Sequence, residues 1–239
     1  AALAVSPPYY YSDHTPYEVA AHFAGVAESV EVPIYIYEAP RYSGLTVTPG
    51  TAARIGNSIP GIAGIIAEEG SLDRVLQYLR ALPDSWALIS GSIECLLPVV
   101  PYGLAGICSV WASPFPDLCV ELWNLVEQSQ YEEAFQRQLQ INEIVAVIER
   151  YSAIHGRGIL GEVFRMRGIH ITKYPRWPTQ ELDEKVIGQL REELERLGAF
   201  AHSAALFQEP LPTERPQPVL EGEIVEMTEA IGEEVDQTA

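Results

Sequence analysis

The residue in this sequence best placed for proton chemistry is Tyr37. It closes the β-branched and aromatic run Ile34-Tyr35-Ile36-Tyr37 and stands before a polar, Pro-broken loop that reaches Gly44. The C-terminal end of a buried parallel strand is where α/β barrels carry their chemistry. Three acids also follow apolar runs: Glu38 after the first, and Glu68 and Glu69 after Ile62 to Ile66. Carboxylates brought together can do acid–base work or hold a cation. Loop acids can equally be solvated, or paired with a base such as Arg41. The histidines, at positions 14, 22, 155, 170 and 202, lack metal-ligand spacing. Gly156-Arg-Gly158 is too short for a phosphate-cradling loop.

The elements that must position these residues can be read from apolar runs and capping signals. Ala1 to Val5, Ile34 to Tyr37, Ile62 to Ile66, Trp86 to Ile89 and Gly106 to Val110 read as strands. Between them, Thr15, Thr48 and Ser71 are N-cap residues for helices, and Pro16 and Pro49 occupy first helical positions. Further helices are predicted from about Ile93 and from Pro116 to Gln128. A strand and a helix thus recur every ~25 residues, the alternation of βαβ units on a parallel sheet. After Ser129 the strands stop. One long helix is predicted from Tyr131 to about Ile154, with Phe135, Leu139, Ile141, Ile144, Val145 and Ile148 on its apolar side. Helices over Gly158 to Arg167 and Leu182 to Leu197 follow, the last with Glu192 and Arg196 at i,i+4 spacing. The reading divides the chain into residues 1–130, 131–200 and an acidic, Pro-containing tail, 201–239, expected to be disordered.

Composition excludes some classes. A formal net charge of −18 and a pI near 4.6 argue against nucleic-acid binding and against anionic membrane surfaces. Cys95 to Pro116 is 22 residues without a charge, but Pro98, Pro101, Pro114, Pro116, Gly103 and Gly106 break it, so a passage through a core fits better than a membrane span. Cys95, Cys108 and Cys119 lie in apolar settings without CxxC spacing and read as buried reduced thiols in a cytosolic protein. The abrupt apolar start at Ala1 suggests the C-terminal part of a longer chain.

Five loop motifs, in order and at matching spacing, give the chain a specific likeness. They are Pro8-Tyr-Tyr-Tyr11 with Thr15 and His22-Phe23; Val32-Pro-Ile-Tyr-Ile-Tyr-Glu-Ala-Pro40 with Ser43-Gly44; Gly64-Ile-Ile-Ala-Glu-Glu-Gly70 with Leu72 and Arg74; Ile89-Ser-Gly-Ser92; and Gly103-Leu-Ala-Gly-Ile-Cys-Ser-Val110. From about Val5 to Leu197 the chain resembles the dihydrodipicolinate synthase / N-acetylneuraminate lyase family of pyruvate-dependent, class I aldolase-type barrels. The resemblance implies an α/β fold, a (β/α)8 TIM barrel, here represented by strands 4 to 8 with their helices plus C-terminal helices.

The resemblance also implies a chemistry. In the family a lysine at the end of strand 6 forms an imine with a 2-keto acid, and a strand 5 tyrosine relays protons to and from that adduct. Tyr37 matches the tyrosine. Tyr11, with Tyr10 as its competitor, matches a second tyrosine that crosses a subunit interface. The lysine position falls on Ile66, and the chain's two lysines, Lys173 and Lys185, lie far downstream. An isoleucine cannot form an imine, so the expected protein is a catalytically altered or inactive homologue; the alternative is a lyase working on a 2-keto acid or sugar acid without an imine. Glu38 replaces an asparagine, and the family's carboxylate-binding arginine falls on Tyr42, with Arg41 beside it. Arg41, Tyr42, Gly91 and Cys108 are the expected substrate-binding positions. No cofactor and no metal are expected. The partners implied are a small 2-keto acid or sugar acid, if any ligand, and a homo-oligomer or an active paralogue, with no nucleic acid and no membrane.

Overall fold

A computed structural model of the protein describes residues 1–9, 11, 13–68, 71–169, 171 and 178–200. Its centre is a parallel sheet of five strands, β1 (Leu3–Val5), β2 (Ile34–Glu38), β3 (Ile62–Ala67), β4 (Ala87–Ser90) and β5 (Gly106–Ile107), which lie side by side in chain order. Helices α1 (Pro16–Ser29), α2 (Pro40–Ser43), α3 (Pro49–Ser58), α4 (Leu72–Ala81) and α5 (Leu96–Val99) fall between the strands, and α6 (Pro116–Glu127), α7 (Tyr131–His155), α8 (Gly158–Met166) and α9 (Glu184–Arg196) follow them.

Local chemistry sets the helix starts. Thr15 forms a reciprocal capping box: its hydroxyl accepts from the Glu18 amide, and the Glu18 carboxylate accepts from the Thr15 amide at 2.7 Å. The Thr48 and Ser71 hydroxyls accept from the amides of Thr51 and Arg74. Each cap satisfies a donor that the first helical turn leaves open.

The sheet register decides what meets what. Tyr37 pairs with Ile66, Ile66 with Ile89, and Ile89 with Gly106. Side chains alternate across a strand, so Tyr35 and Tyr37 share one face of β2 while Ile34, Ile36 and Glu38 share the other, the helix-covered face, where all three are buried. β3 is buried at nearly every position, as a strand covered on both sides should be. Gly64 is required there: a Cβ would lie 2.1 Å from the Ala87 carbonyl oxygen of β4.

Three sequence expectations need correction. β5 covers only Gly106–Ile107 instead of reaching Val110. Cys108 still donates its amide to Ser90, but the Ser109 hydroxyl then accepts from the Trp111 amide and starts a 3-10 turn over Val110–Ala112. The helix expected from Ile93 begins at Leu96 and lasts one turn, because Pro101 cannot continue it; a 3-10 turn over Val100–Tyr102 ends at Gly103, with φ of 100°. On α7, Ile141, Ile144, Val145 and Ile148 are buried as expected, but Phe135 and Leu139 are 47% and 42% exposed. The inward position of that turn belongs to Gln138, whose side chain accepts from the Leu97 amide and donates to the Ile93 carbonyl, tying α7 to the residues around α5.

The C-terminal helices are closed by Arg167. It is 2% exposed and donates to the carbonyls of Pro114 and Ala199 at 2.8 and 3.0 Å and to the Asp117 carboxylate at 2.5 Å. No described helix is long and apolar enough to cross a membrane. The tail, residues 201–239, lies outside the described residues, as do Tyr10, Glu69 and Lys173.

Candidate active-site cleft

A cleft of about 890 Å³ opens beyond the C-terminal ends of β2, β3, β4 and β5. Strand β2 and the short α2 supply Tyr37, Arg41 and Tyr42; the residues after β3 and β4 supply Glu68 and Gly91; those after β5 supply Cys108 and Trp111. The structure therefore brings Tyr37, Arg41, Tyr42, Gly91 and Cys108, five sequence-predicted site residues, to one wall-to-wall space. Tyr11 does not line that space; it is 64% exposed on the loop after β1.

The geometry of the floor is tight. The Gly91 amide donates to the Ala67 carbonyl at 2.7 Å, and a Cβ on Gly91 would sit 2.4 Å from the Glu68 Cα. A glycine is needed for this approach, whatever ligand the cleft takes. Tyr37 lies half-buried beside it. Burial raises its phenol above the ordinary value, and the Glu68 charge raises it further, so Tyr37 holds its proton at neutral pH.

Arg41 stands at the rim. Its guanidinium donates to the Glu68 carboxylate at 2.7 Å and stacks over the Tyr42 ring at 4.7 Å. Burial would lower its pKa, but the Glu68 hydrogen bond and charge outweigh this and raise it. Of the two outcomes open for the loop acids, Glu68 takes the pairing with Arg41. Glu38 pairs elsewhere: its side chain is fully buried on the helix face of β2, with an oxygen 3.8 Å from the Arg74 guanidinium of α4. The reason is alternation, since a neighbour of Tyr37 must point the other way.

Cys108 is exposed, Cys95 half-buried and Cys119 buried, and all three are free thiols. The expectation of three buried thiols fails at Cys108, because β5 stops one residue earlier and turns it out into the cleft. Burial raises the Cys95 thiol, helped by Glu94, and pushes Cys119 up to about 12. Among the described residues no group of three or more His, Cys, Asp or Glu is arranged to hold a metal ion. Sequence reading missed Glu94 and Glu149 as lining residues. Glu149 comes from the C-terminal half of α7, and no local signal points to it; the packing of α7 against α5 and α6 brings it there.

A parallel strand–helix sheet with its cleft at the strand C-termini defines an α/β barrel-type protein. The sequence model of the dihydrodipicolinate synthetase family matches residues 1–197, and the chain belongs to that family. It is 31% identical over 199 residues to the 4-hydroxy-tetrahydrodipicolinate synthase of Methanopyrus kandleri, covering 83% of this chain and 64% of the relative. To the synthase of the same name from Archaeoglobus fulgidus it is 28% identical, covering 82% of this chain and 66% of the relative. The chain thus spans about two thirds of the length of these curated relatives. Among solved structures, a prophage protein of the dihydrodipicolinic acid synthase family from E. coli, in complex with pyruvate, superposes with a TM-score of 0.73 at 20% identity over 82% of this chain and 66% of that one. The fold is the (β/α)8 barrel of these neighbours, with five of its strands in the described residues.

Proposed function

We propose that this chain is a homologue of the family that does not form the lysine imine, and so lacks the aldolase-type reaction. One observation carries the reading: Ile66 stands on β3 in direct register with Tyr37, at the position where the resemblance calls for the lysine. Its side chain has no lone pair to attack a ketone. Lys185 is exposed on α9, away from the strand ends. By the same resemblance the protein works as a homo-oligomer or beside an active paralogue.

Borohydride reduction of the full chain in the presence of pyruvate tests the reading. No covalent adduct is expected; an adduct mapped to any lysine would overturn it. A second reading, a lyase acting on a 2-keto acid or sugar acid without an imine, draws on Tyr37 as a proton donor facing the cleft. Turnover of a panel of such acids, lost on Tyr37→Phe, would favour it over the non-catalytic reading.

A further inference from the structure

The geometry points to Glu68 as an internal anion that occupies the cleft's arginine, so that the cleft refuses small carboxylates and takes their neutral counterparts. The inference rests on the imine-free reading, because a site without a covalent link must hold its ligand by contacts alone.

Arg41 is the one guanidinium among the described residues that line the cleft, whereas Glu68, Glu94 and Glu149 are carboxylates on the same lining. Arg41 is thus the one positive charge that the described lining offers a small acid. Glu68 already occupies it at 2.7 Å, from a side chain largely withdrawn from solvent. Its position is built in rather than adopted. The Glu68 amide donates to the Glu38 carbonyl at 2.9 Å, and the chain just after β4 passes so close that only a glycine, Gly91, fits against the Glu68 Cα. Arg41 is equally placed: α2 is closed by the Gly44 amide donating to the Pro40 carbonyl at 2.8 Å, with Gly44 at φ of 72°.

The pair itself is weak, because Arg41 is 62% exposed and exposed ion pairs are screened. What Glu68 withholds is therefore modest in binding strength but definite in sign. An incoming carboxylate loses its partner and meets an added negative charge a few ångströms away. Removing that charge while keeping the side-chain shape, as in Glu68→Gln, should tighten carboxylate binding by roughly tenfold, the sum of a freed arginine and a removed repulsion. A neutral ligand of the same shape should gain nothing.

The test is equilibrium binding of pyruvate and of its neutral amide, pyruvamide, to the full chain without borohydride. In the unaltered protein pyruvamide is expected to bind at least as tightly as pyruvate. In Glu68→Gln pyruvate is expected to bind roughly tenfold tighter than it does to the unaltered protein, with pyruvamide unchanged, and the double variant Glu68→Gln with Arg41→Gln should lose that gain. A preference for pyruvate in the unaltered protein overturns the proposal with no variant needed. So does a Glu68→Gln protein that gains nothing, or a gain that survives the loss of Arg41. None of these outcomes depends on imine formation, which the borohydride experiment reads separately as a covalent mass.

Discussion

Restoring the amine at the position opposite Tyr37 is the sharpest perturbation of the site. Ile66 is 7% exposed in the middle of the sheet, flanked in register by Tyr37 and Ile89. Ile66→Lys gives up part of the ~1.5–3 kcal/mol that burying an isoleucine contributes, and it places an ammonium where water is scarce. Desolvation lowers the pKa of such an amine. A fall from about 10.4 to about 8 costs roughly 3 kcal/mol at neutral pH, at about 1.4 kcal/mol per pKa unit. The sign of the pH dependence follows. Below the folded-state pKa both states hold the proton and the full cost is present. Between the two pKa values the unfolded chain binds a proton that the folded chain does not, so stability rises with pH. Above about 10.4 the cost disappears. Urea melts near pH 7 and pH 10 should therefore show the variant far below the parent at the lower pH, with a deficit roughly 2–3 kcal/mol smaller at the higher, where only the lost burial and a remnant of the charge cost remain. Borohydride with pyruvate should now label the peptide carrying position 66, most strongly when Glu68→Gln is added to admit the carboxylate. A folded variant with the same deficit at both pH values, or one that traps no pyruvate, would refute the placement of this position beside Tyr37.

Other expectations follow from the same geometry. Gly64→Ala should cost more than ~3 kcal/mol, because its Cβ would stand 2.1 Å from a backbone oxygen of β4 and the strands must part; a thermal melt checks it. Thiol titration of the native chain should consume Cys108 first and leave Cys119, held near 12 by burial, until the protein unfolds. A ligand seated in the cleft should slow the reaction at Cys108. Arg167→Met should destabilise the chain by about 3–5 kcal/mol, since it leaves the half-buried Asp117 carboxylate and two carbonyls without their donor. A urea melt that matched the parent would show that α6 and α8 are held by apolar packing alone.

Much of this was legible in the sequence where the signal is local. Thr15, Thr48 and Ser71 announce their helices because a hydroxyl at the cap position answers the open amides a few residues on. The run Ile34 to Tyr37 announces a strand because branched and aromatic side chains fit a pleated, buried surface. Tyr37 came with its strand, since strand polarity puts it at the end where such sheets carry chemistry, whereas Arg41, Tyr42, Gly91 and Cys108 came from the family resemblance. What was not legible depends on partners distant in the chain. Phe135 and Leu139 are apolar yet face solvent, because Gln138 finds carbonyl and amide partners near α5 that the sequence does not advertise. Glu149 lines the cleft only because α7 packs on α5 and α6, far from it in sequence. Glu38 is a different case: strict alternation from Tyr37 would have turned it toward the helices, but a carboxylate there is so costly to bury that composition argued for the solvent side.

The shortness of β5 has a consequence for how the molecule breathes. β2 and β3 exchange hydrogen bonds along their whole length, whereas β5 joins the sheet through only two residues, with Cys108 adding one last amide to the ladder. Opening a segment costs what its buried contacts and hydrogen bonds are worth, so the strand with fewest is released at the lowest free energy. Amide protons of Ile107 and Cys108 should exchange with solvent well before those of Ile36 and Ile65. The wall of the cleft that carries Cys108 and Trp111 then yields while the floor beneath Tyr37 stays closed. A ligand that grips this wall would be read first as slower exchange at the sheet's far edge, tens of residues in sequence from the tyrosine it touches.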